Sequence, residues 1–229
     1  MEEPTLPPSR PVPELQRDVQ LKLGRCLLKL QGYEMLLKNM VASSELSGAA
    51  DQLEAVREKK TAEHHRHTLG ALVKTFTQGY LKPSGLPDDP EDDGVRDERS
   101  WISLRFGMEL PEAEYAQTKV SLNELVGLRN DLVHHFFAHF DLLCADGCAA
   151  AEAYLDECHE IICRHVQELC EWAKSIDEVR QRLYAIMQIP ELRELMVSAP
   201  SDEDSVFTYR LNELFALALA PALALASLG

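Results

Sequence analysis

A chain of 229 residues, 45% hydrophobic and 27% charged, suits one soluble domain with an extension, or at most two small domains. Its net charge of −15 excludes a protein whose whole surface binds nucleic acid, so any such site must be a local basic patch in an acidic envelope. The N-terminus reads as leaderless, with Glu2 and Glu3 followed by prolines and no apolar core, and six cysteines in such a chain read as reduced thiols in the cytoplasm.

Residues 1–14 form a Pro-rich tail that denies helix and ladder hydrogen bonds and is expected to be disordered, with Pro13-Glu14 opening the first helix. From Leu15 to Val41 the positions Leu15, Val19, Leu23, Leu27, Leu30, Leu37 and Met40 advance at mostly helical spacing. Gly24 and Gly32 within it are either tolerated costs or points of close helix approach. Ser43, Ser44, Ser47 and Gly48 read as a turn. A second long helix is expected to follow to about Tyr80, antiparallel to the first, its buried side marked by Leu53, Val56, Leu69, Leu72, Val73 and Phe76.

Residues 82–99 interleave prolines and glycines with Asp88, Asp89, Glu91, Asp92, Asp93, Asp97 and Glu98, the composition of an exposed acidic loop. Trp101–Phe106 alternates apolar and polar. With no second strand in view it is expected to pack as an irregular segment rather than a strand. From Val120 to Phe140, apolar residues at Val120, Leu125, Leu128, Leu132, Val133, Phe136, Phe137 and Phe140 describe a helix with a wide buried face. Ser121 is its expected N-cap, with Glu124 completing a capping box. Gly147 breaks the pattern, and a further helix is expected from Cys148 to Ile176, followed by two more over Val179–Val197 and Tyr209–Leu228. The uncharged Leu214–Gly229 stretch is shorter than the roughly 20 residues that span a bilayer and reads as a packed or partner-facing helix, without membrane insertion. The fold expected is all-α: a bundle of about four core helices over 15–178 with a helical C-terminal extension over 179–229.

The helix around Leu128–Phe136 concentrates side chains that are costly to bury unless paired or used: Arg129, Asn130, Asp131, His134 and His135. Asn130 and His134 are four apart and share a face, so the amide is placed to orient the imidazole. Arg129 precedes His134 by five residues, roughly 140° around an α-helix, and must lean round to reach the same pocket. A permanent cation beside a group that titrates near neutrality is a minimal kit for phosphate chemistry. The bland alternative is a solvated helix edge with Arg129 paired to Glu124 or Asp131.

Arg129-Asn130-Asp131-Leu132-Val133-His134 resembles the Arg-Asn-x-x-x-His signature of HEPN domains (higher eukaryotes and prokaryotes nucleotide-binding), which carry it on a late helix of an all-α bundle. The resemblance implies a HEPN-like antiparallel bundle, a homodimer and a metal-independent endoribonuclease without cofactors. Arg129 and His134 would be the catalytic pair, with Asn130 accompanying them and an RNA substrate at a site formed across the dimer. A toxin–antitoxin or phage-defence setting, with an antitoxin or regulatory protein as partner, goes with such an activity. Where HEPN toxins paired with a nucleotidyltransferase carry a modifiable Tyr, this chain has Phe136, which lacks the hydroxyl. The competing expectation is a catalytically inactive HEPN-like dimer that binds RNA or protein.

The most basic patch, Lys59, Lys60, His64, His65, Arg66 and His67 on the second helix, is a candidate for guiding RNA by phosphate contacts, as is His135 beside the motif. His135 and His139 have metal-site spacing but no carboxylate to complete a zinc pattern, so no metal is expected. Cys144, Cys148, Cys158, Cys163 and Cys170 form no Cys-x-x-Cys pair and read as small apolar helix residues.

Overall fold

A computed structural model describes residues 10–49, 52–64, 66–85 and 101–189. The proline tail before residue 10, most of the acidic loop, His65 and the expected helices beyond residue 189 lie outside the described residues. So does the Leu214–Gly229 stretch. Contact density divides the chain into Met1–Asp93 with Trp101–Asp177, and Gly94–Ser100 with Glu178–Gly229. Of the second unit, only residues 178–189 are described.

Helix α1 runs over Val12–Ala42. Pro11 precedes it in extended backbone and Pro13 sits in the first turn, where a missing N–H costs nothing. Its buried residues Val19, Cys26, Leu30, Tyr33, Leu37 and Met40 recur at sevens, fours and threes, one continuous stripe. Gly24 and Gly32 have no neighbour within 4 Å of where a Cβ would stand, so they are tolerated costs and not approach points.

The segment after α1 departs from expectation. Glu45–Ala49, read as a turn, is strand β1. The second long helix is two: α2, Leu53–His64, and α3, Leu69–Thr75, which a π-helical turn extends over Phe76–Tyr80. Thr68 separates them by capping α3, its hydroxyl accepting from the Ala71 N–H. A short strand β2, Leu81–Pro83, follows.

Trp101–Arg105 is strand β3, because it does have a partner: it pairs antiparallel with β1, with Glu45 opposite Arg105 and Ser47 opposite Ser103. Met108–Leu110 forms β4, parallel to β2. These strand pairs are minimal, and the described chain is mostly helical.

Helix α4 starts at Glu112, well before the expected Ser121. Pro111 stands at its N-cap, and Glu112 and Glu114 in the first turn oppose the positive end of the helix dipole. Ser121 therefore lies inside the helix and caps nothing. Helix α4 ends at Asn130, a π-helical turn covers Asp131–His135, and α5 completes the element over Phe136–His139. Helix α6 covers Ala145–Met187 without a break, so neither Gly147 nor residue 177 ends a helix. Gly147 has another use. A Cβ there would stand 1.9 Å from the Asp141 carbonyl oxygen, so the connection from α5 crosses α6 at a point only glycine allows.

The core is one cluster drawn from α1, α3 with its π turn, α4–α5 and α6. Phe76 lies at its centre, stacked on Tyr80 at 4.7 Å and on Trp172 at 5.8 Å. Leu37, Leu69, Leu72, Leu125, Leu155 and Ile162 are fully buried around it, each contributing about 1.5–3 kcal/mol of transfer free energy. All six cysteines are free; Cys26, Cys148 and Cys158 are buried, whereas Cys144 is exposed in the loop before α6. Burial pushes the Cys26 thiol up to about 11, which keeps it protonated. Among the described residues no helix is long and apolar enough to cross a membrane.

Candidate functional site

Helices α1 and α4–α5 lie side by side in opposite directions. Glu34 meets Arg129 at one end, and the Gln16 amide donates to the Leu142 carbonyl at 2.8 Å at the other. Along this contact Leu132 and Phe136 turn into the core, and Phe136 packs on Phe140 at 5.2 Å, which in turn meets Tyr154 of α6 at 5.3 Å. Those anchors fix the π turn from below. Val120, Val133 and Phe137, expected on the buried face, are instead 53, 45 and 79% exposed.

A π turn runs through the polar cluster, from Asp131 to His135. In an unbroken α-helix Arg129 and His134 would point about 140° apart. The π turn lowers the rotation per residue over the second half of that interval. The long Arg129 side chain spans the rest, and its Nη1 lies 3.4 Å from His134 Nε2. Since a guanidinium only donates, this contact is satisfied when His134 Nε2 carries a lone pair and its proton sits on Nδ1. That is the form of an imidazole able to accept a proton. At 3.4 Å the pair is at the long end of hydrogen bonding.

Asn130 is placed differently from expectation. Its Oδ1 accepts from Arg129 Nη1 at 3.4 Å, so the amide steadies the guanidinium and not the imidazole. Arg129 is paired to neither Glu124 nor Asp131: its Nε lies 3.6 Å from Glu34 Oε1 on α1, with both side chains largely covered. His134 and His135 are both exposed, their rings 6.3 Å apart and edge to face. The site is thus an open polar notch: one guanidinium paired to Glu34, one accessible imidazole against it, and a second imidazole alongside.

The basic patch is a separate place. His64 and Arg66 are not on one long helix with Lys74 but at the junction of α2 and α3. His64 Nδ1 lies 3.1 Å from His67 Nδ1, and burial, then His67, lowers the His64 pKa. Lys60 Nζ donates to the Glu45 carbonyl at 2.7 Å and lies 3.7 Å from its carboxylate, so it ties α2 to β1. Lys59 and Arg66 are exposed. Among the described residues no hydrogen bond or ion pair joins Lys59, Lys60, His64 or Arg66 to the notch. Nor do the described residues bring together three metal-ligating side chains anywhere.

Glu34 is the residue that sequence reasoning missed. It sits on a helix remote in sequence from Arg129, and nothing in the local pattern of α1 singles it out. No family model, curated protein or solved structure matches the chain.

Proposed function

We propose that the chain is a metal-independent endoribonuclease of HEPN type that cleaves RNA at a site composed across a homodimer, in a toxin–antitoxin or phage-defence setting. The observation that carries this reading is the apposition of Arg129 Nη1 and His134 Nε2 at 3.4 Å through a π-helical turn. His134 takes the proton of a ribose 2′-hydroxyl as that oxygen attacks the adjacent phosphorus. The P–O5′ bond breaks, leaving a 2′,3′-cyclic phosphate and a 5′-hydroxyl end. The leaving oxygen takes its proton from His134 of the partner subunit or from water. Arg129 holds the phosphate and offsets the charge growing on its oxygens. A second copy has apolar side chains to meet beside the motif, since Val133 and Phe137 are 45 and 79% exposed. Phe136 is buried and has no hydroxyl, so control by nucleotidylation at that position is not available to this chain.

The test is incubation of purified wild type, Arg129→Ala and His134→Ala with RNA in EDTA, followed by analysis of the new ends. The reading expects cleavage by wild type alone, with cyclic phosphate and 5′-hydroxyl ends. Equal cutting by all three, or activity abolished by EDTA, sinks it. A catalytically inactive RNA- or protein-binding dimer is the second reading, favoured by the −15 net charge, which repels RNA. Under it, His134→Ala leaves both dimerisation and binding untouched.

A further inference from the structure

We infer that Glu34 is a positioning residue for Arg129, holding the guanidinium by its Nε side so that the opposite edge stays turned toward His134; the reaction it serves is the endoribonuclease reading above. An arginine side chain has many rotamers, and two contacts at 3.4 Å made by the single atom Nη1 do not hold it in one orientation. The ion pair to Glu34 supplies the missing constraint. With side-chain exposures of 27% for Arg129 and 19% for Glu34, the pair is shielded from solvent screening more than a surface pair is. Glu34 is itself a rigid post. It lies in the interior of α1, beside Tyr33, which is 2% exposed, and one turn before Leu37, which is 0% exposed.

The form of the contact separates positioning from neutralisation. A carboxylate that captured the guanidinium in a fork would occupy the two parallel N–H groups that a phosphate needs. Glu34 instead approaches Nε at 3.6 Å, while Nη1 faces His134 and Asn130. Nη2, which takes part in none of these contacts, therefore remains for an anion beside the imidazole. A flexible arginine held ready in this way loses less entropy when phosphate binds and places its charge where it develops.

Two readouts test this on the full-length protein. In 15N–1H spectra of arginine side chains, the Arg129 Nε–Hε signal is expected to be ordered in wild type and to lose that order in Glu34→Ala. Glu34→Gln, which keeps an oxygen acceptor without the charge, is expected to retain most of it. In RNA cleavage, Glu34→Ala is expected to lower kcat by about tenfold or more with KM changed less than about threefold, and Glu34→Gln to recover most of the rate. An Arg129 signal equally ordered in Glu34→Ala and wild type overturns the inference. So does an undiminished or raised kcat, even where the thermal midpoint falls. If wild type does not cut RNA while Arg129 ordering still depends on Glu34, the reaction reading fails and the positioning role stands.

Discussion

At the residue scale, the proposed chemistry rests on three side chains that sequence spacing brings into view and one that it does not. Arg129, Asn130 and His134 are legible because they interrupt an apolar helical period with groups that are expensive to bury. Their individual partners are not legible. Asn130 bonds Arg129 where spacing favoured His134, and the ion-pair partner of Arg129 comes from α1, because a salt bridge leaves no periodic trace in either helix. A different histidine makes stability depend on pH. His165 is 6% exposed against the edge of Tyr33, and burial lowers its pKa below the ordinary value near 6.5. The unfolded chain then binds the proton first as pH falls. The contribution of neutral His165 is fully present above the unfolded value and is lost as pH drops from there through the folded one. Urea midpoints measured at pH 7.5 and 5 are expected to fall for wild type, and less steeply for His165→Gln; parallel slopes would assign the acid sensitivity to other groups.

At the scale of elements, helices were legible wherever one strand of chain carries its own signal. Helix α1 follows from spacing, which finds Val19, Leu30, Leu37 and Met40 of its buried stripe but not Cys26 and Tyr33, while Leu15, Leu23 and Leu27 are only partly buried. Strand β1 was not legible. Glu45-Leu46-Ser47-Gly48-Ala49 has turn composition, and only pairing with distant Trp101–Arg105 makes it a strand. The π turn at Asp131–His135 is equally silent in sequence, since Leu132 and Phe136, four apart and both buried, would share the core face of an ordinary α-helix as well. The glycines of the two long helices give opposed predictions. Gly24→Ala and Gly32→Ala, with open space at the added methyl, are each expected to stabilise by about 0.5–1 kcal/mol. Gly147→Ala, whose methyl would meet the Asp141 carbonyl, is expected to destabilise by about 1–3 kcal/mol or more. Denaturant midpoints check both, and a neutral Gly147→Ala would mean that the α5–α6 connection yields without cost.

At the scale of the whole molecule, an acidic protein presents a small polar notch built around one paired guanidinium. Leu21, Leu28 and Met35 recur every seven residues along α1 and are 66, 69 and 61% exposed. Val133 and Phe137 flank the motif on the neighbouring helix, exposed as well. Exposed leucines along one helix are ordinary, but Val133 and Phe137 lie on the element that carries Arg129 and His134 and suit an isologous contact with a second copy. Light scattering at micromolar concentration is expected to give a dimer, and Val133→Asp with Phe137→Asp a monomer; a wild-type chain that is strictly monomeric removes the composite site. The central claim is that Arg129 and His134 act as one unit on a phosphodiester. Its most direct test is the initial rate of RNA cleavage in EDTA by wild type, each alanine variant and the double variant. Each single change is expected to cost at least about 100-fold, with the double variant no slower than the worse single one, because residues that act together do not add. Wild-type rates no higher than those of the double variant would contradict the account.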